Sequence, residues 1–254
     1  MSKAKIAIVQ YKPQISEINA NFKTAERLIK SAAAGKPDTI IMPELWATGY
    51  YPKPVEEYAD EEGQRTLGFL RGLAIECNVN IIGGSVIVSS GGRIYNRSYA
   101  LNRRGELLAV YDKVHLFSMV GEEEVFMAGE ELPIYELEGL KCTTELCYDV
   151  RFPEMTRSAA LRGVELLFIP AAWSLKRLTH WRILMQARAI ENQIFIAAAN
   201  SAGHSLIINP WGEILNEGEA REQIIAAEID IKIRSEIKEA MNVLADVRDF
   251  SIKI

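Results

Sequence analysis

The stretch "LCYDVRFPE" runs from Leu146 to Glu154 and places a thiol, an acid, an arginine and a Phe-Pro step within nine residues. It comes directly after a run whose pattern predicts a β-strand. A cysteine at the end of a strand is either a small core residue or a nucleophile held at the edge of a sheet. Because burial is the commoner fate of a free thiol, this stretch alone favours packing. The other segments of the chain have to decide between the two interpretations.

Short apolar runs alternate with longer amphipathic runs on both sides of this stretch. The apolar runs predict buried strands at "KIAIV" (5–9), "TIIM" (39–42), "VNIIGGSVIV" (79–88), "IYNRSYALN" (94–102), "ELLFIP" (165–170) and "IFIAAAN" (194–200). Helical spacing predicts helices that include 154–162 and, at the end of the chain, about 231–243. This alternation indicates an α/β protein with a β-rich middle and helices outside. Since no Pro/Gly/Ser-rich linker interrupts the chain, we expect a single domain over residues 1–254.

Composition and charge exclude several classes of partner. The 254 residues carry a formal charge of -5 with scattered lysines and arginines, so no nucleic acid is expected as a partner. The three cysteines show no CxxC spacing, which indicates a reducing compartment rather than a disulfide framework. The apolar run "IAIV" near the N-terminus is too short for a signal segment or a membrane span. We therefore expect a cytoplasmic protein without a membrane partner.

Three polar residues stand where predicted strands end: Glu44, Lys113 and Cys147. In α/β sheets such strand ends are where ligands bind. A thiol is a strong nucleophile only as its thiolate, and a nearby carboxylate can take its proton and later activate water. An ammonium can help lower the pKa of the thiol and stabilise the oxyanion that forms when a carbonyl is attacked. Together the three residues predict covalent catalysis on a carbonyl or a related carbon.

Other reactive residues have simpler interpretations. Cys77 and Cys142 lie on a helix face and within a strand, and both are expected to pack in the core. The three histidines show no metal-ligand spacing, so no metal site is expected. Asp149 and Arg151 are expected to pair with each other and brace the turn after Cys147.

Five segments in order span nearly the whole chain: "MPELWATGY", "YDKVHLF", "LCYDVRFPE", "ARAIENQ" and "GHSLIINPWGE". With these segments the sequence resembles the nitrilase superfamily of carbon–nitrogen hydrolases. The resemblance implies a four-layer αββα sandwich, association into a homodimer or a higher homo-oligomer, and a reaction without metal or organic cofactor. It also implies that Glu44 is the general base, Lys113 the oxyanion stabiliser and Cys147 the nucleophile. A second catalytic glutamate is implied at Glu122, although the run "GEEEVFMAG" leaves its neighbours as alternatives.

The resemblance implies a reaction through a thioester. The thiolate of Cys147 attacks an amide carbon, while Lys113 and the backbone N–H of Tyr148 hold the oxyanion. Ammonia leaves with the proton that Glu44 passes on, and water activated by Glu44 then hydrolyses the thioester to a carboxylate. The substrate is thus expected to be a small primary amide.

The stretch "AAWSLKRLTHWRILMQARAIENQ" (171–193) looks most like the omega-amidase branch, whose members act on 2-oxoglutaramate and similar short monoamides. Such substrates carry a carboxylate, for which Arg177 is the candidate partner, and Trp173 is a candidate wall of the pocket. A solvent-facing Arg177 and a core Trp173 remain open as alternatives. So do a nitrilase, an N-carbamoyl amidohydrolase, a general aliphatic amidase and a non-catalytic protein on the same fold.

Three segments depart from the pattern of the family. Only residues 201–203 separate Asn200 from His204 where relatives often have a longer loop, which leaves the pocket more open. Threonines at 143–144 stand where glycine is common, and "DVRDFSIKI" (246–254) only loosely echoes the usual ending. The amphipathic segment 231–254 is nevertheless expected to contribute to the dimer contact.

Overall fold

The computed structural model describes residues 3–248 and contains two β-sheets with helices packed outside them. The helices are α1 Ile18–Ala33, α2 Gln64–Cys77, α3 Pro153–Leu161, α4 Leu178–Asn192 and α5 Lys232–Ala240. The first strands are β1 Lys3–Gln10, β2 Thr39–Ile41, β3 Asp60–Glu61, β4 Asn80–Ile82, β5 Val86–Ser90, β6 Arg93–Leu101 and β7 Leu107–Asp112. The remaining strands are β8 Tyr135–Leu137, β9 Leu140–Thr144, β10 Leu166–Ala171, β11 Phe195–Asn200, β12 Leu206–Ile208, β13 Ile214–Glu217 and β14 Gln223–Asp230. The predicted α/β class is confirmed.

The first sheet has eight strands in the order β14-β1-β2-β4-β6-β5-β3, with β7 paired to β6. The second sheet has six strands in the order β13-β12-β11-β10-β9-β8. Strands β1, β2 and β4 are parallel to one another in the first sheet, as are β9, β10 and β11 in the second. Parallel strands present their carboxyl ends at one edge of a sheet, which is where the polar residues of the sequence are placed.

The two sheets pack face to face because alternate residues of their strands are apolar on both faces. Ile6 and Ile8 of β1 pack with Phe168 of β10 between the sheets. Ala7 and Val9 of the same strand face α1 and α2 instead. On the other side, the outer face of the second sheet is covered by α4 and the end of α3. The layers follow as helices, sheet, sheet, helices, which is the αββα sandwich that the resemblance implied.

The segment "VNIIGGSVIV" forms two strands where one was predicted. At Gly84 the backbone has φ +63, and an added Cβ would lie 2.1 Å from the carbonyl oxygen of Pro43. The glycine therefore permits a close approach to the loop that carries Glu44. Helix α5 also ends at Ala240, earlier than predicted, because Met241 is extended and its carbonyl accepts a hydrogen bond from the Gln193 side chain. Within residues 3–248, no helix has the length and apolar character needed to cross a membrane.

Candidate active site

Four side chains from distant parts of the chain meet at the edge of the sandwich. Lys113 Nζ lies 2.9 Å from Glu44 Oε1 and 2.9 Å from Glu122 Oε2, and these three side chains are almost completely excluded from solvent. Cys147 lies beside them and is 9% exposed. Glu44 follows β2, Lys113 follows β7, and Cys147 follows β9, so that the ends of strands from both sheets supply the cluster. The structure therefore brings the predicted glutamate, lysine and cysteine together.

Glu44 is held by donors from both sheets. Its Oε1 accepts hydrogen bonds from Lys113 Nζ and from Asn96 Nδ2 at 3.0 Å. Its Oε2 accepts a 2.9 Å hydrogen bond from the backbone N–H of Ala172, which directly follows β10. Because both oxygens are engaged, the carboxylate has one orientation, beside the Cys147 thiol.

Glu122 is the member of the glutamate run that enters the site. Glu122 is fully buried, whereas Glu123 and Glu124 are exposed. Its carboxylate accepts hydrogen bonds from the Phe117 backbone N–H at 2.9 Å and from the Tyr50 hydroxyl at 3.1 Å. Burial and the contact with Lys113 thus distinguish Glu122 from Glu123 and Glu124 in the run "GEEEVFMAG".

Cys147 sits in an unusual backbone conformation. It opens the short 3-10 helix Cys147–Arg151 and has φ 46, in the left-handed region that favours glycine. Non-glycine residues in this region store strain and are enriched at functional sites. The sharp turn between β9 and this helix directs the thiol toward Glu44 and Lys113 instead of into the core.

Electrostatics favour the protonated form of the Cys147 thiol. Burial and the adjacent Glu44 carboxylate raise the pKa of Cys147 well above its ordinary value, and the nearby Lys113 only partly offsets them. Lys113 does lower the pKa of the thiol, as the sequence predicts, but its effect is smaller than the combined effect of burial and Glu44. Burial by itself would lower the pKa of Lys113, but the Glu44 and Glu122 carboxylates raise it above its ordinary value. The lysine therefore remains an ammonium, and the thiol needs a base at the moment of attack.

A cavity of about 160 Å³ leads to the thiol. Tyr148 and Trp173 line it, together with Phe117 and the side chains of Arg151 and Arg177. Trp173 is buried, and its indole N–H donates a hydrogen bond to the carbonyl oxygen of Arg177 at 2.9 Å. The structure thus places the candidate substrate residues Tyr148, Trp173 and Arg177 in the wall of one small pocket.

The predicted pairing of Asp149 with Arg151 is wrong. Asp149 is buried and instead accepts hydrogen bonds from Tyr111, His115 and the backbone of Leu146. The guanidinium of Arg151 lies 4.3 Å from the ring centre of Trp173, at the wall of the cavity. The two side chains point to opposite sides of the short helix, a result that their spacing in the sequence could not reveal.

The remaining reactive residues have structural roles. Cys142 is buried between the sheets, and Cys77 is half-buried against the helix side of the first sheet. His115 Nδ1 lies 2.9 Å from Asp149, and His204 Nδ1 lies 2.8 Å from Glu217. Among residues 3–248 no group of three or more His, Cys, Asp or Glu side chains is arranged to hold a metal ion.

Sequence reasoning missed three groups of the site: the Tyr50 hydroxyl, the Asn96 amide and the Ala172 backbone N–H. Tyr50 closes the stretch "MPELWATGY", yet nothing in that stretch marks its hydroxyl as a partner of Glu122. Burial and the two glutamates raise the pKa of Tyr50, which keeps it a hydrogen-bond donor. Asn96 lies inside a strand, and the only sign of its role in the sequence is a polar residue at an inward-facing position.

An αββα sandwich with a buried glutamate, lysine and cysteine at its strand ends defines the class of the carbon–nitrogen hydrolases. The Carbon-nitrogen hydrolase family model matches residues 5–239, and the chain belongs to this family. The protein is therefore an enzyme that hydrolyses carbon–nitrogen bonds.

Three relatives illustrate how far the similarity extends. A 2-oxoglutaramate amidase of Bacillus subtilis (strain 168) is 40% identical over 252 residues, which cover 96% of this chain and 97% of that protein. Omega-amidase NIT2 of Homo sapiens is 31% identical over 98% of this chain and 96% of its own length. The structure of XC1258 from Xanthomonas campestris, a CN-hydrolase superfamily protein with an arsenic adduct in the active site, superposes with a TM-score of 0.92. It is 27% identical over 99% of this chain and 100% of that chain.

Proposed function

We propose that the protein is an amidase in which Cys147 is the nucleophile, Glu44 the general base and Lys113 the stabiliser of the oxyanion. The observation that carries this proposal is the placement of the Lys113 ammonium between two buried carboxylates, next to the Cys147 thiol. Lys113 cannot serve as a base in this setting, because both neighbours stabilise its charged form. Glu44 is the carboxylate within reach of the thiol, so the proton of the thiol goes to Glu44.

The proposed reaction has two halves. As Cys147 Sγ bonds to the amide carbon, its proton moves to Glu44, and the carbonyl oxygen becomes an oxyanion beside Lys113. Glu44 then gives this proton to the amide nitrogen, the carbon–nitrogen bond breaks, and ammonia leaves a thioester behind. In the second half Glu44 takes a proton from water, the water oxygen attacks the thioester, and the carboxylate and the thiol are released. The backbone N–H of Tyr148 is proposed as a second donor to the oxyanion.

Glu122 is proposed to position Lys113. Its two oxygens accept from Lys113, Tyr50 and the Phe117 backbone, so that they hold the lysine in a fixed position. Burial and the nearby Glu44 raise the pKa of Glu122 despite the opposing effect of Lys113. Through these contacts Glu122 would keep the Lys113 ammonium in place beside the developing oxyanion.

Within this class we propose an omega-amidase, which releases ammonia from a 2-oxoglutaramate-like monoamide. Arg151 and Arg177 both line the small cavity, and neither forms an ion pair with a carboxylate within residues 3–248. Burial and the positive charge of the nearby Arg177 lower the pKa of Arg151, because two neighbouring cations repel each other. A substrate carboxylate would relieve this repulsion. The names of the 2-oxoglutaramate amidase and omega-amidase relatives support the same substrate class.

Replacing Arg177 with alanine tests the carboxylate site. Loss of one partner of a desolvated charge pair costs about 2–5 kcal/mol, so kcat/KM for 2-oxoglutaramate or succinamate should fall by roughly 30-fold or more. Hydrolysis of the neutral amide propionamide should change little. Both rates are measured by ammonia release, with Lys176→Ala as the matched control because Lys176 is the exposed neighbouring cation. An equal fall for both substrates would show that Arg177 is structural.

A panel of substrates separates the remaining alternatives. Acidic monoamides, neutral amides, nitriles and N-carbamoyl amino acids are each incubated with the enzyme, and ammonia is measured. Preference for the acidic monoamides supports the omega-amidase. Preference for a nitrile, a carbamoyl compound or a neutral amide would assign the protein to another reaction of the same superfamily. Failure of Cys147 to react with any small electrophile would indicate a non-catalytic protein.

We also propose that residues 1–254 act as one domain, that two copies form a homodimer, and that the enzyme is cytoplasmic. The location rests on the three cysteines, all of which are free thiols. Exposed apolar side chains on α4 and the turn beside it support the dimer: Ile183 is 59%, Ile190 50% and Trp211 48% exposed. The end of α5 is joined to α4 through Gln193 and Met241, so part of segment 231–254 borders this surface. Residues 249–254 of that segment lie outside the described residues.

The dimer is tested by light scattering at micromolar concentration. The wild-type protein should have at least about twice the mass of the 28.5 kDa chain, because exposed apolar side chains grouped on one face favour association. Ile190→Glu should shift the protein toward monomer. Ile75→Glu is the control, since Ile75 is comparably exposed (56%) but lies on α2, at the opposite outer layer. A monomeric wild type would contradict the proposal.

A further inference from the structure

One buried carboxylate connects the two segments that carry Lys113 and Cys147. Asp149 is completely buried and accepts hydrogen bonds through both of its oxygens. Oδ2 accepts from the Tyr111 hydroxyl at 2.6 Å and from the Leu146 backbone N–H at 2.8 Å. Oδ1 accepts from the His115 backbone N–H at 2.8 Å, and His115 Nδ1 lies 2.9 Å away.

The residues that donate hydrogen bonds to Asp149 lie close to Lys113 and Cys147 in the chain. Tyr111 and His115 lie two residues before and two residues after Lys113, whereas Leu146 directly precedes Cys147. The Tyr111 hydroxyl also accepts a hydrogen bond from the Val114 backbone N–H at 3.3 Å. A single side chain thus fixes both flanks of the lysine against the turn that carries the thiol.

Asp149 does not touch the reacting groups itself. The side chain lies behind the short helix, and its hydrogen bonds go to Tyr111, His115 and Leu146. A buried carboxylate is costly unless it is hydrogen-bonded, so Asp149 depends on the donors that surround it. The groups that donate hydrogen bonds to Asp149 belong to the two segments that carry Lys113 and Cys147. The proposed reaction requires these segments to keep a fixed relative position.

We propose that Asp149 is a positioning residue, which sets the distance between Lys113 Nζ and Cys147 Sγ. This inference rests on the proposed amidase reaction, in which Lys113 stabilises the charge that develops beside Cys147. Bonds to Tyr111 and His115 place the lysine, and the bond to Leu146 places the nucleophile. A misplacement of about 1 Å between such groups can lower turnover by about 100-fold.

Asp149→Asn is the informative change, because asparagine keeps the shape of the side chain. Whichever way the amide faces, its NH₂ end replaces one acceptor oxygen, so the backbone N–H of either Leu146 or His115 loses its acceptor. We expect kcat to fall by about 100-fold while KM stays within about threefold of the wild-type value. Circular dichroism and the thermal unfolding midpoint show whether the variant is folded at the assay temperature.

The pH dependence of Cys147 alkylation by iodoacetamide separates a positioning role from a purely structural role. A purely structural role of Asp149 would leave this pH dependence unchanged. The Lys113 ammonium stabilises the thiolate, so moving it away from Sγ raises the thiol pKa further. The pH profile of alkylation should therefore shift to higher pH in Asp149→Asn. This measurement needs no substrate. If the wild-type protein is alkylated but hydrolyses no amide, the proposed amidase function is rejected, and the effect of Asp149 on the thiol can still be tested.

Glu145→Gln is the matched control. Glu145 is equally buried in the same layer, and both of its oxygens accept from the Thr156 hydroxyl at 2.9 and 3.0 Å. Burial and the nearby Asp149 raise the pKa of Glu145 to about 8, so glutamine resembles its neutral form at pH 7. Because Glu145 makes no hydrogen bond to the segment 111–115, this variant should keep kcat and the alkylation profile within about threefold of wild type.

Tyr111→Phe extends the test if Asp149→Asn does not fold. It removes one donor and leaves the other contacts of Asp149 in place, so kcat should fall by about fivefold to tenfold, with a smaller shift of the alkylation profile in the same direction. The proposal is overturned if a folded Asp149→Asn or Tyr111→Phe keeps the wild-type kcat and profile. It is also overturned if Glu145→Gln reproduces their effects.

Discussion

Replacing Cys147 with alanine is expected to abolish amide hydrolysis, with a loss of about 10⁴-fold or more, because no covalent intermediate can form. Cys147→Ser should be nearly as inactive. Glu44 can take a proton from a thiol during attack, but the pKa of a serine hydroxyl is far higher. Ammonia release measures turnover, and mass spectrometry of the wild-type enzyme mixed rapidly with substrate detects the acyl adduct. The fold should survive, since the change removes a single sulfur atom.

Cys142→Ala is the control for this prediction. Cys142 is also a buried free thiol, but it packs between the two sheets and does not reach the cavity. Its loss should lower stability by about 1 kcal/mol through the small void it leaves, while kcat stays near the wild-type value. Substantial hydrolysis by Cys147→Ala, or inactivity of Cys142→Ala while still folded, would end the assignment of Cys147 as nucleophile.

Glu44→Gln is expected to have two opposite effects. Turnover should fall by about 10³-fold or more, because the variant lacks the group that accepts the thiol proton and activates water. The pKa of Cys147 should fall, because a negative charge that stabilises the protonated thiol has been removed while the Lys113 ammonium remains. More thiolate is then present at pH 7, so iodoacetamide should alkylate the variant faster than the wild type at that pH.

The pH profile of alkylation and the rate of ammonia release together measure these effects. Glu123→Gln is the matched control, since Glu123 is an exposed acid next to the cluster. Glu123→Gln should change neither the pH profile of alkylation nor the rate of ammonia release. If Glu44→Gln slowed alkylation at every pH, Glu44 would be needed to form the thiolate rather than to accept its proton during attack. If hydrolysis persisted, another group would be the base.

The layers of the fold follow from local patterns in the sequence. Strand β1 alternates between two apolar faces, and the spacing of Phe22, Ala25 and Ile29 predicts the buried face of α1. Periodicity of this kind depends only on neighbours in the chain, so it can be recognised without the structure. The ends of predicted strands drew attention to Glu44, Lys113 and Cys147. The resemblance to a family then implied their roles and added Glu122, and the structure places the four together.

Contacts between distant segments could not be predicted in the same way. Asp149 pairs with Tyr111 and His115, more than thirty positions away, although the adjacent Arg151 looked like its partner. The upward shift of the Cys147 pKa likewise depends on burial, which no local pattern expresses. Gly84 splits a run that resembles one strand, because the Pro43 carbonyl happens to approach it in space.

The left-handed backbone at Cys147 makes the residue preferred by the backbone differ from the residue required by the proposed reaction. Glycine adopts such a conformation without the penalty that a Cβ atom brings, which is about 1 kcal/mol for an L-residue. Backbone preference by itself therefore favours glycine at position 147, whereas the proposed reaction needs a sulfur there. If variants were selected only for thermal stability, nothing in the selection would retain the Cys147 thiol. Screening of this enzyme for durability must therefore be coupled at every round to a measurement of turnover.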